Sequence, residues 1–270
     1  MLEIRVKTIS SRDNPIVRAY RDLAREPDAS GARLLLDGVH LVHDAHAAHL
    51  EFESVAVAAS RLAEPTEEAE IARMLDASGV PVFAVSDAVF AVMSPVRSPS
   101  GIVAIASRTP IDPTAIWNAQ DGFTLVAIDI QDPGNLGGLI RAAEAGDVTG
   151  VIVSGVSAHP FSWKSLRGSM GSTIRLPVAR AANLDTIVDG IQSSGARTIA
   201  SVPRGGRAPD AIDWTGRVAL LLGGEGPGLP DAVTAGCDER VTIPMAAAVE
   251  SLNVAVAGGI LIYAARRQRS

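Results

Sequence analysis

Thiols are nearly absent from this chain. Cys237 is the single cysteine in 270 residues, which excludes an internal disulfide framework and a zinc cage built from cysteines. Flanked by Gly236 and Asp238, it reads as a small packing residue rather than a nucleophile. Long apolar runs are missing too: no uninterrupted stretch reaches the ~20 residues of a membrane-spanning helix. The first residues lack a charged-then-apolar leader pattern, so the expectation is a cytoplasmic protein that makes no use of a membrane. A surplus of positive charge is also lacking. Net charge is −6 and the pI about 5.4, so the chain as a whole does not advertise nucleic-acid binding. What is present is 47% hydrophobic and 20% charged residues, a globular composition able to bury a core.

The charge is unevenly placed. Residues 1–25 carry six basic side chains (Arg5, Lys7, Arg12, Arg18, Arg21, Arg25) against three acidic ones (Glu3, Asp13, Asp22). That local excess could follow a phosphate backbone, or be the solvated face of a helix. Residues 8–15 are turn-rich and polar, and Ile16–Ala24 has helical spacing. Strands are expected at 33–36, 55–58, 82–85 and 102–106, with helices from about Val39 to Ala48 and from Glu67 to Ala77. His40, His43, His46 and His49 follow one another at three-residue steps, so neighbouring pairs share a helix face. The row drifts around the helix and has no carboxylate or thiolate to close a tetrahedral set, so no metal is expected. Arg108–Pro113, with two prolines and no apolar period, reads as a linker. The expected domains are 1–107, a linker at 108–120, and 121–270.

From Gly122 onward strands and helices alternate: strands at 123–130, 151–153, 174–178, 198–202 and 217–222, helices at 136–146, 163–170 and 184–191. This is the pattern of a mainly parallel sheet covered by helices. Three motifs interrupt it. Asp132-Pro133-Gly134-Asn135 leaves a strand and enters a helix that Asn135 is placed to cap. Within the apolar run that follows, Arg141 should reach a carboxylate or phosphate, because an unpaired buried guanidinium is too costly. The glycine spacing there is not G-x-G-x-x-G, and no G-K-[ST] follows, which counts against a dinucleotide site or a P-loop. The second motif, Gly223-Gly224-Glu225-Gly226-Pro227-Gly228, follows a strand buried on both faces. Its glycines let backbone approach a ligand closely. The third is Val241–Met245, read as a strand stopped by Pro244, followed by Ser251-Leu252-Asn253. Val249 to Tyr263 is nearly apolar all round and predicts a helix buried on every side. Ser251 is expected to cap it, which leaves Asn253 to face a ligand or a backbone partner. Neither a nucleophile elbow nor a partner histidine accompanies Ser251, so hydrolysis is set aside.

Taken together and in order, N-x-x-x-x-x-R, G-G-E-G-x-G and I-P-M…S-L-N-V resemble the SpoU (TrmH-like) family of RNA 2′-O-ribose methyltransferases, over about Thr124 to Arg267. Leu36-Asp37-Gly38-Val39-His40-Leu41-Val42 looks like the substrate-binding domain often fused to it, with Asp37 where a glutamate is usual. The resemblance implies an α/β fold: a C-terminal parallel sheet threaded into a deep trefoil knot (SPOUT-like) and a smaller N-terminal α/β domain. It implies S-adenosylmethionine held by Gly223, Gly224, Glu225, Ile243, Met245, Leu252 and Asn253. Asn135, Arg141, Glu225, Ser251 and Asn253 would form the polar catalytic cluster, and the protein would act as a homodimer.

The implied reaction is attack of a ribose 2′-hydroxyl on a sulfonium methyl, for which alignment and proton removal are the main tasks. A guanidinium stays protonated and is a poor base, so Arg141 is expected to grip the target phosphate and stabilise the developing alkoxide. RNA contacts are expected from the basic N-terminal stretch, Arg12 and Arg18 included, and from Lys164, Arg167 and Arg175 around Trp163. A separate N-terminal domain favours ribosomal over transfer RNA within the resemblance. The alternatives are a transfer RNA enzyme, a non-catalytic RNA-binding or assembly factor of the same fold, and a dinucleotide-dependent enzyme. Ribosome maturation and antibiotic resistance are both open as the purpose of the methylation.

Overall fold

A computed structural model describes residues 6–120, 122–226 and 228–269. Glu3 and Arg5 of the basic stretch and Pro227 of the second motif lie outside the described residues. The chain divides into two compact units, Met1–Pro110 with Phe161–Ile174, and Ile111–Pro160 with Arg175–Ser270.

The first unit runs β1 (Lys7–Ile9), α1 (Pro15–Arg25), β2 (Arg33–Asp37), α2 (Val39–Ala47), β3 (Glu51–Ala58), α3 (Ala59–Leu62), α4 (Glu67–Ala77), β4 (Val82–Val85), α5 (Asp87–Met93) and β5 (Ile102–Ser107). Its sheet has the order β1-β4-β3-β5-β2 and is mixed: β5 runs antiparallel to β2 and β3, while the β1–β4 and β3–β4 pairs are parallel. Asn14 starts α1, its Oδ1 accepting from the Ile16 N–H at 2.9 Å, with Pro15 in the first turn where no donor is needed. Val17, Tyr20 and Leu23 are the helix's buried face. The Tyr20 hydroxyl donates to the Ser54 carbonyl at 2.9 Å, so this polar atom carried into the core is satisfied. Burial pushes its pKa up. The strand β1 overlaps the stretch expected as turn-rich at residues 8–15, where three residues of edge strand leave no period to read.

The chain then enters the second unit with α6 (Pro113–Trp117), β6 (Phe123–Ile128), α7 (Pro133–Ala145) and β7 (Gly150–Ser154). Within the stretch expected as linker, α6 is a capped helix: Asp112 Oδ1 accepts from the Thr114 N–H at 2.8 Å, and Pro113 takes the first turn. Its Ile116 and Trp117 are buried in the second unit's core. The prolines that read as breakers are here a helix start.

Next come α8 (Trp163–Ser169) and α9 (Ser172–Arg175), where residues 161–174 belong to the first unit. The chain continues with β8 (Val178–Arg180), α10 (Leu184–Ser193), β9 (Arg197–Ser201), β10 (Val218–Gly223), α11 (Asp231–Gly236), β11 (Glu239–Val241) and α12 (Val254–Arg269). All pairs in the sheet β11-β9-β10-β6-β7-β8 are parallel, as the alternation predicts. Val218–Leu222 and Phe123–Ile128 are buried throughout, the pattern of central strands covered on both faces. The strand expected at 174–178 is instead the short helix α9 followed by β8. The strand expected at 241–245 ends at Val241, and residues 242–253 carry neither helix nor strand.

Helix α12 is not buried all round. Val254, Gly258, Leu261, Ile262 and Ala265 face inward, and a Cβ at Gly258 would run into the Leu139 and Leu222 side chains. The opposite face leaves Val256 53%, Ile260 42% and Tyr263 49% exposed. No helix among the described residues is long and apolar enough to cross a membrane.

Candidate functional site

Parallel pairing sets the site. Gly223 at the end of β10 lies opposite Ile128 at the end of β6, so the turns that follow both strands emerge together at the carboxyl edge of the sheet. At that edge α7 is capped by Asp132, not by Asn135. Asp132 Oδ1 accepts from the Asn135 N–H at 2.7 Å. Asn135 sits one turn inside with its side chain free for other work. Its Nδ2 donates to Glu225 Oε1, and its Oδ1 accepts from Asn253 Nδ2 at 2.9 Å. Asn253, not Ser251, caps α12, its Oδ1 accepting from the N–H groups of Ala255 at 3.0 Å and Val256 at 3.3 Å. Both ends of the Asn253 amide are therefore used, one for the helix and one for Asn135. Three motifs join in one chain of hydrogen bonds, Asn253–Asn135–Glu225.

The glycines of the second motif serve first to let the protein's own backbone close up. A Cβ at Gly224 would strike the Asp129 carbonyl, and one at Gly223 would strike the backbone of Gly228 and Leu229. Asp129 itself was not singled out by the sequence. It takes a left-handed backbone (φ 57°) at the end of β6, and its Oδ1 accepts from the Val156 N–H at 2.7 Å. A non-glycine residue in that region costs energy that the surroundings must supply. The signal available is an acidic residue directly after the buried strand Phe123–Ile128.

The remaining expected residues divide. Arg141 is exposed on α7 and has no hydrogen bond or ion pair among the described residues, so the argument from burial does not hold. Leu136, Gly137, Leu139, Ile140 and Ala143 turn inward, and Arg141 lies outside that arc, on the side of Gly138. A free guanidinium at this position remains available to an anion. Ser251 is exposed, two residues before the Asn253 cap, and forms no bond to the network. Ile243, Met245 and Leu252 lie in the irregular stretch between β11 and α12. Their backbone polar groups make no hydrogen bond with other described residues. Unclaimed backbone donors and acceptors beside apolar side chains, with a carboxylate at Glu225, suit a ligand with a heteroaromatic ring, hydroxyls and a positive charge. S-Adenosylmethionine has that chemistry, so these residues fit it.

Arg12, Arg18, Lys164 and Arg167 are exposed, as phosphate contacts need to be. Arg175 differs, being held by Glu144 in a two-pronged pair at 2.7 and 2.8 Å. His40 and His43 are exposed, and α2 ends at Ala47, so His49 (φ 56°) falls off the helix and the row is broken. No cluster of three or more His, Cys, Asp or Glu side chains able to hold a metal occurs among the described residues. Cys237 is half-buried, and burial raises its thiol pKa, which suits packing rather than nucleophilic chemistry.

Known proteins resemble the chain over nearly all of its length. Residues 14–104 match the MRM3-like substrate binding domain. An uncharacterised tRNA/rRNA methyltransferase of Synechocystis is 33% identical over 98% of this chain and 95% of its own length. A 23S rRNA guanosine 2′-O-methyltransferase of Bacillus subtilis is 29% identical over 96% and 98%. The AdoMet-bound rRNA methyltransferase of Sinorhizobium meliloti superposes with a TM-score of 0.84 at 28% identity, over 97% of this chain and 98% of that one. Residues 122–263, which hold all three motifs, match the SpoU rRNA methylase family, and the chain belongs to it.

Proposed function

We propose that this protein transfers a methyl group from S-adenosylmethionine to a ribose 2′-hydroxyl in RNA, with ribosomal RNA as its substrate. The observation that carries the reading is the Asn253–Asn135–Glu225 chain of hydrogen bonds, because a scaffold without catalysis has no reason to hold three distant polar side chains in mutual contact. The substrates of the Bacillus and Sinorhizobium relatives support ribosomal RNA.

Residues 1–107 serve as the RNA-binding part and 121–270 as the methyltransferase. Bound S-adenosylmethionine supplies a methyl group already activated on sulfonium. Gly223, Gly224, Ile243, Met245, Leu252 and Asn253 hold it through backbone groups and apolar contact, and Glu225 offers its positive charge a carboxylate. Arg141, without a hydrogen bond or ion pair among the described residues, binds the phosphate beside the target ribose and stabilises negative charge as the 2′-oxygen loses its proton. Asn135, itself held by Asn253, fixes the Glu225 carboxylate, so that its position costs nothing at the moment of reaction. Ser251 stands where it can meet the ribose. Arg12, Arg18, Lys164 and Arg167 contribute phosphate contacts, which makes RNA affinity fall steeply with salt.

The protein works as a cytoplasmic homodimer. The exposed apolar line Val249, Leu252, Val256, Ile260 and Tyr263 along and before α12 supports a second copy as its cover. The trefoil knot belongs to the same reading. The chain reaches the sheet edge at β11 and returns through residues 242–253 to α12, which packs on α7.

The test uses purified protein, labelled S-adenosylmethionine, and unmodified ribosomal and transfer RNA in separate reactions, with the labelled nucleotide identified after digestion. Label on a ribose 2′-oxygen of ribosomal RNA is the expected result. Label confined to transfer RNA corrects the substrate, and cofactor binding without label favours the binding-factor reading. Absence of cofactor binding overturns the proposal.

A further inference from the structure

Within the first unit, α1, the end of α5 and α8 line an open pocket of about 350 Å3 that the reaction scheme leaves unused. We propose that it is a subsite for a single unpaired RNA nucleotide, its base stacked on Trp163 and its phosphate held by Arg21 and Arg25. The inference rests on the reading of the chain as an RNA methyltransferase and adds to it a place where the substrate is recognised away from the reacting ribose.

The wall comes from three distant parts of the sequence: Arg21, Asp22 and Arg25 of α1, Met93 and Ser94 at the end of α5, and Trp163 of α8. Its floor is built rather than left over. Met93 and Ser94 are buried, and the Ser94 hydroxyl donates to Asp37 Oδ2 at 2.8 Å while accepting from the Val96 N–H at 3.4 Å. Asp37 is itself only 7% exposed. The Trp163 ring is fixed as well, because its Nε1–H donates to the Ala24 carbonyl at 3.0 Å. With that donor spent, the indole has only its π surface to offer. The Lys164 ammonium lies over the ring, 5.5 Å from its centroid, a mobile cation that a stacked base would displace toward its phosphate.

At the rim Arg21 has no hydrogen bond or ion pair among the described residues. Arg25 reaches Asp22 only at 3.5 Å, with both side chains largely exposed, a pair too weak to hold it. Two guanidiniums one helical turn apart therefore outnumber one carboxylate. Cations at the mouth and an aromatic wall within are the means by which proteins take up unstacked nucleotides. The volume accommodates one small ligand and not a duplex, whose bases are in any case stacked and paired. Every base presents a π face, so the subsite reads the unpaired state of a nucleotide before it reads its identity.

The experiment uses the full-length protein and fragments of the ribosomal RNA it methylates, substituted with 4-thiouridine. After irradiation the cross-linked peptides are identified, and KM for RNA is measured for Trp163→Leu, Trp163→Phe and Arg21→Ala. The expected cross-links lie on peptides containing Trp163 or Met93. Trp163→Leu and Arg21→Ala should each raise KM for RNA about tenfold, with affinity for S-adenosylmethionine unchanged, and Trp163→Phe should recover most of the loss. Methylation at wild-type KM in the Leu and Ala variants, with cross-links confined to other peptides, overturns the subsite while leaving the methyltransferase reading intact. A wild-type protein that neither binds RNA nor transfers methyl overturns both.

Discussion

The two sheets handle polar chemistry differently. In the second unit all strand pairs are parallel, so every strand delivers its carboxyl end to one edge. Motifs 118 positions apart meet there through Asn135 and Asn253. The first unit mixes directions, with β5 antiparallel to both its neighbours, and its strand ends have no common edge. Its cavity is made by helices lying beside one another, and its buried carboxylate, Asp37, works as a pin under that cavity. A parallel sheet gathers a site by topology; a mixed sheet has to assemble one by packing.

The largest effect expected is at the edge itself. Gly224→Ala forces a methyl group against the Asp129 carbonyl. It should cost about 3 kcal/mol in thermal unfolding and abolish S-adenosylmethionine binding; a variant with native cofactor affinity would deny that the turn must close this tightly. Next comes Arg141→Ala, which should lower methyl transfer by about 100-fold or more with calorimetric cofactor affinity intact. Arg141→Lys should remain poor, since a point charge cannot replace two-pronged contact. Loss of cofactor binding in either would move Arg141 from the substrate side to the cofactor side. Asn253 then separates capping from the polar network. Asn253→Ala should lose about 1 kcal/mol of stability together with activity. Asn253→Asp keeps the cap but cannot donate to Asn135, so the melting temperature should hold while transfer drops about tenfold.

The smallest effect belongs to the first unit. Burial raises the Asp37 carboxyl pKa, with the Ser94 hydrogen bond opposing. The folded state therefore holds that proton more tightly than the unfolded chain does, and protonation stabilises the fold as pH falls through the raised value. Asp37→Asn should be at least as stable as wild type at neutral pH and should lose this gain on acidification. Urea unfolding at neutral and weakly acidic pH measures it, and equal pH profiles would show the carboxylate to be indifferent.

The motifs were legible because each breaks a local rule: glycines after a buried strand, and an amide where an apolar helix begins. Helix α4 matched residue for residue, since Thr66 caps it and an apolar period follows. What sequence could not give was the direction in which a side chain points. Small, apolar neighbours make Arg141 read as buried, yet a helix can bury five of them and still turn the arginine outward. Ser251 reads as the cap of α12 because the true start, Val254, lies within one unbroken apolar run. Residues 174–178 read as strand because they span the end of the four-residue α9 and the start of the three-residue β8, elements too short to show a period. The separation of 161–174 from the elements flanking it rests on long-range packing that leaves no mark on local sequence.

That last segment has a consequence for synthesis. Phe161 is buried in the first unit, with the Arg108 guanidinium 4.1 Å from its ring centre, and Trp163 bonds to Ala24. Domains ordinarily fold in the order in which they leave the ribosome. Here residues 161–174 of the first unit emerge only after β6 and β7 of the second. The first unit is therefore completed late, and a fragment ending at Pro110 should expose the face that Phe161 and Trp163 cover, and aggregate.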